Sequence, residues 1–532
     1  MFGIGQFRIR LGTKVIWAAV VWGGVAAAQT STNGPAFSAT GRGQIRSATP
    51  GGAAGGGAAF ADFQSLIDLI TTVVEPDAWE ALGGSSTLFP YPQGIEVDPA
   101  GMVRDVDAIG GRTSAIDALR ERLASPTPPG SDAVPGSDAV LGSDAAMPAA
   151  DDWRRPGTRC VSMVRYVREL GRRLIEGDTS PDAALAFCAG MSRVQSLVCT
   201  ADDVLLIGDV DALSDADGWW VDDVGRVPMQ RDYLTHAATA ILDGGTFGCT
   251  IDPTAEGLDR AMALAGEVAA GRVPIGSAGG RMADAIGDQR VSVFGVEPDT
   301  SLAHRMVHVD RHMKRLALGI LPMPRGVPTY LDAIDAHAGL GPPRDLLLRL
   351  WLTGEPLEIA RVQTGDDSET GGVWFVRGRG VRLSGADRRP GADATEETVD
   401  ARTRTFVDAF NDNWSAIASM YPAYGSVASM YRAVGILETV RRHGGRPGRA
   451  VLRGLSLIAR ADAGGLPSPR RVSTIAKTHT SRHGSRRTTT VIASGGVLVR
   501  PAALVGRPRT ATSAAEYPTR PGNDTGHWWW NL

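Results

Sequence analysis

Residues 246–258 read TFGCTIDPTAEGL and residues 291–303 read VSVFGVEPDTSLA, and the two stretches share one pattern. In each, a short and partly β-branched apolar run is followed by an acid, a proline and a threonine, and then by helix-forming residues. Such runs are typical of strands buried in a sheet, and proline ends a strand because it has no backbone N–H group. Thr254 and Asp299 are placed to cap the helices that follow. The two stretches therefore predict an α/β fold, with a mixed β-sheet and packed helices.

The composition indicates more than one domain and a large share of linker. The chain has 532 residues, of which 66 are glycine, 32 are proline and only 6% are aromatic. Its net charge of −3 hides an asymmetry, because the only acids after Arg441 are Asp462, Glu516 and Asp524. Such a basic tail predicts either an anionic partner or a solvated disordered segment.

The N-terminus predicts export. Arg8, Arg10 and Lys14 precede an apolar run over residues 15–25, and three alanines ending at Ala28 fit the small-residue cleavage rule. The run is short for a membrane span, so we expect a signal peptide cleaved after Ala28, with an uncleaved anchor as the alternative. The expected location is the periplasm or cell envelope.

The order of segments predicts six regions. A six-residue motif, GSDAVP, repeats three times from Gly130 with small changes, and its period is too short for a solenoid. The regions are a signal peptide (1–28), a disordered Gly/Ala-rich tether (29–59), a small N-terminal α/β module (60–123), a disordered linker with the repeat (124–151), a main α/β body with a helical hairpin (152–443) and a basic, largely disordered tail (444–532) that contains a possible hairpin (472–499).

Local patterns add finer expectations. Residues 95–103 predict a hairpin around an Asp-Pro-Ala-Gly turn, and 373–383 predict one continuous strand. Residues 330–334 are expected in a loop, and 405–443 as two helices interrupted at Pro422.

Export would place the four cysteines in an oxidising compartment. Cys160, Cys188, Cys199 and Cys249 match no zinc or redox spacing. Cys188 and Cys199 are candidates for a disulfide, and the alternative is that they are buried thiols acting as small apolar residues.

Several segments carry a family resemblance. They include DFQSLIDLITTVVEPDAWEALGG, DGWWVDDVGRV, FGCTIDPTAEGL and VSVFGVEPDTSLAHRMVHVDRHMK, and together with FVDAFNDNWSAIASMYPAYGSVASMYRAV they span most of residues 60–440. In this order they resemble a group of exported planctomycete proteins known as domain-of-unknown-function family 1598. The resemblance implies envelope export, and it implies no activity, cofactor or catalytic residue.

Three histidines form the sharpest candidate metal site. His304, His308 and His312 are four residues apart, so a helix would place them on one face, with Asp310 nearby. Against this, arginine and lysine neighbours repel a cation, and three successive turns span about 12 Å. A solvated basic helix face is the preferred interpretation.

Carboxylates follow both predicted strands. Asp252, Glu297 and Asp299 lie just beyond the strand ends, where ligands bind in many open α/β sheets, and a hydrolase could use such a pair. The alternative, which we favour, is that they form caps and turns.

Aromatic residues offer a possible binding surface. Trp219 and Trp220, with Trp374 and Phe375, could stack on a glycan, although such residues more often fill a core.

No reaction is signalled by motif. Residues 275–279 read IGSAG and lack the first glycine of a nucleophile elbow, and no phosphate loop or dinucleotide fingerprint occurs. We therefore expect no cofactor, leave catalytic residues unassigned, and favour a non-catalytic envelope protein that binds or scaffolds an envelope protein or polymer. The alternatives are a periplasmic hydrolase and a metal-handling protein. No specific nucleic-acid signal is present, and membrane contact is expected only through the export signal.

Overall fold

The computed structural model describes four strands between residues 4 and 98, and then residues 152–216, 219–340, 347–362, 372–385, 399–461, 468–481, 488–511 and 528–532. The chain forms two compact units, residues 1–109 and 110–532. The predicted tether and the repeat-containing linker lie outside the described residues, as does most of the small module.

The first unit contains two antiparallel strand pairs. Strand β1 (Ile4–Leu11) pairs with β2 (Lys14–Val21), and β3 (Thr87–Tyr91) pairs with β4 (Gly94–Asp98). β4 contains the first arm of the hairpin predicted over 95–103, and the second arm lies outside the described residues.

The second unit combines two sheets with helices. Its strands are β5 (Gly157–Ser162), β6 (Arg193–Cys199), β7 (Val204–Val210), β8 (Ser214–Ala216), β9 (Trp219–Val221), β10 (Phe247–Asp252), β11 (Asp288–Phe294), β12 (Leu347–Gly354), β13 (Glu358–Val362), β14 (Gly372–Arg377), β15 (Val381–Gly385), β16 (Arg471–Ser473), β17 (Ala476–Thr480), β18 (Thr488–Val499), β19 (Arg509–Ala511) and β20 (Trp529–Asn531). Its helices are α1 (Met163–Glu176), α2 (Ala183–Ala186), α3 (Arg231–Leu242), α4 (Ala255–Ala269), α5 (Ala278–Ile286), α6 (Ser301–Ala317), α7 (Tyr330–Ala336), α8 (Ala401–Asp412), α9 (Trp414–Met420), α10 (Pro422–His443), α11 (Gly445–Ala461) and α12 (Pro501–Leu504).

Both large sheets have seven strands. Sheet A has the order β15-β12-β18-β10-β11-β16, with β17 also paired to β18, and sheet B has the order β19-β13-β14-β6-β7-β5-β20. Each sheet is mixed, since β18 runs parallel to β12 and antiparallel to β10, and β13 runs parallel to β19. The predicted α/β mixed class is confirmed.

The two stretches that predicted the fold form neighbouring strands of sheet A. β10 and β11 pair antiparallel, and α4 and α6 follow them. The hydroxyl of Thr254 caps α4 by accepting from the Gly257 N–H group, as predicted. The predicted cap at Asp299 is wrong, because Thr300 directly precedes the first turn of α6 and its hydroxyl accepts from Ala303.

The tail beyond residue 444 contains ordered core elements, which corrects the expectation of a largely disordered segment. Helix α11 packs against α1, α3 and α10, and buries Val451, Leu452 and Leu455. Strand β18 lies in the middle of sheet A, with residues 490–499 buried, and β17 pairs with it where the late hairpin is predicted. The basic composition concealed this core because the arginines of α11 occupy its exposed face.

The continuous strand predicted over 373–383 is instead two strands, which belong to different sheets. β14 belongs to sheet B and β15 to sheet A. Between them Gly378 has φ 102° and Gly380 has φ 81°, conformations that residues with a Cβ rarely adopt. These glycines let the chain cross from one sheet to the other.

Candidate functional site

Helix α6 has one face in the core and another that is strongly basic. It packs against β10, β12 and β18 of sheet A and against α3 and α10. Its i, i+3 and i+4 positions carry six basic residues along one side, which we call the basic stripe: His304, Arg305, His308, Arg311, His312 and Arg315. The candidate site is built on this stripe.

The predicted metal ligands do not converge. Within the described ranges, no group of three or more His, Cys, Asp or Glu side chains could hold a metal ion. The rings of His308 and His312 are 6.2 Å apart. Asp310, which lies near them in sequence, is in the protein interior, where it forms an ion pair with Lys314.

His312 is held by two tyrosines. Its ring centroid lies 4.6 Å from that of Tyr421 and 5.6 Å from that of Tyr424, and its Nδ1 is 3.1 Å from the Tyr424 hydroxyl. Burial, followed by the charges of His308 and Arg315, lowers the pKa of His312 to about 4. His308 is exposed as a residue, yet partial burial of its imidazole also lowers its pKa. Both rings are therefore mainly neutral near pH 7.

Arg305 and Arg311 of the stripe contact neutral groups. The Arg305 guanidinium lies over the Trp219 ring at 4.8 Å, and Arg311 donates to the carbonyl and hydroxyl oxygens of Ser473. Arg315 is exposed. In the part of the chain that the structure describes, none of these three arginines forms an ion pair with a carboxylate.

Apolar and basic groups border the C-terminal end of the stripe. Ile320, which is 44% exposed, donates its N–H to the Arg315 carbonyl oxygen. The Tyr421 hydroxyl donates to the Pro322 carbonyl at 2.7 Å, and Lys477 donates to that of Gly319 at 3.0 Å. We call the basic stripe together with Ile320, Tyr421 and Lys477 the α6 surface.

The predicted carboxylates lie at opposite ends of a strand pair. Asp252 ends β10 and faces Arg290 near the start of β11, whereas Glu297 and Asp299 follow the other end of β11, where Phe294 faces Gly248. Four residues of strand separate these ends by about 14 Å. The paired carboxyl groups of glycosidases are roughly 5–9.5 Å apart. Because the strands are antiparallel, the structure does not bring Asp252 together with the other two.

The predicted aromatic surface is also divided. Trp219 and Trp220 are consecutive in β9, so their side chains point to opposite faces. One face of Trp219 is covered by Arg305, whereas Trp220 contacts the edge of Trp153 and has the Arg154 guanidinium 5.1 Å from its ring. Trp374 is buried and stacks on His443 at 4.0 Å, and Phe375 beside it is half-buried. These residues do not form one exposed stacking platform.

The buried pair in α6 is a feature that sequence reasoning missed. The Lys314 ammonium donates to Asp310 at 2.6 Å, and the two side chains are 1% and 0% exposed. Burial raises the pKa of Asp310, opposed by Lys314, and the second carboxylate oxygen has no hydrogen-bond partner within the described ranges. The i, i+4 spacing was a usable signal for a pair, although it carries no information on depth.

The four cysteines are free and buried. The candidate disulfide between Cys188 and Cys199 is therefore wrong. Burial raises the pKa of each of these two thiols to about 12, so they remain protonated and act as small apolar residues.

Comparison with known proteins gives one match. Residues 249–330, which run from within β10 to the first residue of α7, match a family described as "Protein of unknown function (DUF1598)". No curated protein and no solved structure matches the chain. The match includes the basic stripe, and the family description assigns no role to any of its residues.

A separate property concerns membranes. Of the helices that the structure describes, none is both long enough and apolar enough to cross a bilayer.

Proposed function

We propose that this chain is an exported, non-catalytic binding or scaffolding protein of the cell envelope, and that the α6 surface contacts its partner. The observation that carries the proposal is the set of three arginines on α6 that lack a carboxylate partner in the described part of the chain. The export portion is supported by the positive residues, apolar run and small residues that end at Ala28.

Several other arginines of the second unit form ion pairs with carboxylates. Arg441 and Arg442 both donate to Glu438, and Arg173 donates to Asp178 and Asp182. The exposed Arg315 remains available to an acid from outside the chain, whereas the charges of Asp310 and Asp288 already act on Arg311. Because α6 is fixed between sheet A and α10, its side chains start from a rigid helix, which reduces the entropy lost on binding.

The test is capture from an envelope extract. The purified chain is immobilised, exposed to the extract at low and high salt, and compared with an Arg315→Glu variant and an Arg449→Glu variant. Arg449 is an exposed arginine of α11, so its substitution makes the same charge change away from the α6 surface. We expect a captured component that is lost with Arg315→Glu and retained with Arg449→Glu. Equal capture by all three chains would rule out the α6 surface, and no capture by any would rule out the binding function.

A further inference from the structure

We infer that the α6 surface recognises an acidic polypeptide segment that also carries apolar side chains. This inference rests on the proposed function and names the class of partner. It follows from the length of the surface, the source of its charge and the apolar groups at its end.

The length of the stripe suits a short peptide. Residues 304–315 rise about 16 Å along the helix axis, at 1.5 Å per residue. An extended peptide covers that distance with about five residues, at 3.3 Å per residue. One segment of about five to nine residues can therefore contact the stripe from end to end.

The positive charge comes mainly from fixed groups. Arg305, Arg311 and Arg315 each carry a guanidinium group, and Lys477 adds an ammonium group whose hydrogen-bond partner is a neutral carbonyl. Arg315 is the exposed guanidinium of the set. A guanidinium binds a carboxylate through two parallel hydrogen bonds, so a carboxylate at Arg315 is the contact we expect to matter most.

The apolar neighbours distinguish a polypeptide from other polyanions. Ile320 is hydrogen-bonded through its backbone to Arg315, and Tyr421 packs its ring on His312 and donates to the Pro322 carbonyl. An aliphatic side chain next to an acid can pack on these groups while the acid reaches Arg315. Nucleic acids and acidic glycans offer no aliphatic side chain for this position.

The number of charges supports the same choice. Nucleic-acid-binding proteins commonly neutralise about 6–10 phosphates, and lipid-binding clusters commonly contain about 4–8 basic residues close together. The α6 surface has three arginines and Lys477, which is fewer than these phosphate contacts and at the lower limit of the lipid range, and the two central histidines have lowered pKa values. The chain as a whole also carries a net charge of −3.

The experiment uses a labelled peptide and the full chain. The probe is a nine-residue peptide with Asp-Leu-Glu repeated three times, and the control peptide has Asn-Leu-Gln repeated three times. Binding is followed by fluorescence anisotropy at low and physiological salt, with competition by anionic vesicles and by single-stranded RNA. The variants are Arg315→Glu, Ile320→Ser and Arg449→Glu.

We expect salt-sensitive binding of the acidic peptide alone. Arg315→Glu should weaken it about tenfold or more, Ile320→Ser should weaken it several-fold, and Arg449→Glu should leave it unchanged. Displacement by RNA or vesicles at lower concentration than by unlabelled peptide would overturn the inference, as would equal binding of the neutral peptide. If the peptide fails to bind while Arg315→Glu still abolishes capture from extract, the partner class is wrong and the proposed function stands.

Discussion

Lys314 and Asp310 form a buried ion pair between neighbouring turns of α6. Their ion pair is buried between α6 and sheet A, and the nearby Cys249 thiol is buried too, which raises its pKa. An ion pair at this depth offers little net stability compared with apolar residues, but removing one partner leaves a charge without compensation.

Replacing Lys314 with Met should therefore destabilise the protein by about 3–5 kcal/mol. The double variant Asp310→Leu with Lys314→Met should recover most of that loss, since it removes both charges. Urea unfolding of the three chains measures the difference. A single variant as stable as the parent would show that the pair is not buried as described.

His312 gives the protein a predictable response to acid. Its pKa is lowered to about 4 in the folded chain, against about 6.5 in an unfolded one, so the folded state binds fewer protons. The contribution of His312 is complete above pH 6.5 and is lost as the pH falls from 6.5 towards 4.

The prediction is that His312→Gln flattens this part of the pH profile. The free energy of unfolding should fall less between pH 7 and pH 4.5 in the variant than in the parent chain. His308 and His443 also have lowered pKa values and should preserve some slope in both. Parallel profiles for the two chains would contradict the packing of His312 between the tyrosines.

For single residues, the sequence predicted the structural role of some side chains and missed that of others. Thr254 was identified as a cap because capping depends on local order along the chain. Asp299 was misassigned by one position, since the helix starts only after Thr300. The division between Asp252 and Glu297 could not be foreseen, because it depends on the antiparallel pairing of strands that are far apart in sequence.

Helix α10 is the element that joins the two sheets. The Tyr431 hydroxyl lies 2.8 Å and 3.0 Å from the carbonyl oxygens of Leu352 and Leu498 in sheet A. The next residue, Arg432, donates to the carbonyl of Val194 in sheet B and to that of Gly378, where the chain crosses between sheets. Burial lowers the pKa of Arg432 to about 10, aided by the charges of Arg193 and Arg226.

Arg432→Met should destabilise the protein by about 2–4 kcal/mol, because two backbone carbonyls lose their donor. Arg446→Met is the matched control, since Arg446 is exposed at the start of α11, and should change stability by less than about 0.5 kcal/mol. Thermal or urea unfolding of both variants provides the comparison. A similarly small loss of stability in both variants would show that Arg432 does not stabilise the segment at Gly378, where the chain crosses between the sheets.

Alanine substitutions at glycines in two helices should have opposite effects on the stability of the protein. A Cβ on Gly425 of α10 would lie 2.0 Å from the Gly225 carbonyl oxygen, whereas a Cβ on Gly266 of α4 would meet nothing within 4 Å. Gly425→Ala should cost about 1–3 kcal/mol or more, and Gly266→Ala should add up to about 1 kcal/mol through helix propensity. Equal shifts in melting temperature would show that α10 does not approach the turn at Gly225 this closely.

Element types followed from the sequence where the pattern was local. The strands β10 and β11 and the helices after them were recognised from apolar runs and caps. Helix α7 was mistaken for a loop, although Thr329 and Asp332 form a reciprocal capping box at its start. The break between β14 and β15 near Gly378 could not be predicted from local sequence, because the two strands belong to different sheets.

The whole second unit depends on the C-terminal part of the chain. Strand β18 pairs with β12, β10 and β17, so sheet A has no continuous centre without it. The parallel pairing of Leu347 with Ile492 joins residues that are far apart in sequence, which no local pattern can predict. The basic composition after residue 444 therefore predicted a disordered segment, although buried apolar positions are interleaved with the arginines.

A chain that ends before Thr488 should not unfold cooperatively, because the central strand of sheet A is missing. A chain that ends after Ala511 keeps β18 and should retain a cooperative transition, with some loss from the absence of β20 at the edge of sheet B. Circular dichroism during thermal unfolding measures both. Cooperative unfolding of the shorter chain would contradict the topology.

At the scale of the molecule, we propose that a rigid two-sheet body presents α6 to a partner. The most direct measurement places a photo-crosslinking amino acid at position 308, in the exposed middle of the basic stripe, and at position 449 as the control. We expect an acidic partner from the envelope to be crosslinked at position 308 and not at 449. The same products at both positions, or none at 308 while 449 reacts, would contradict it.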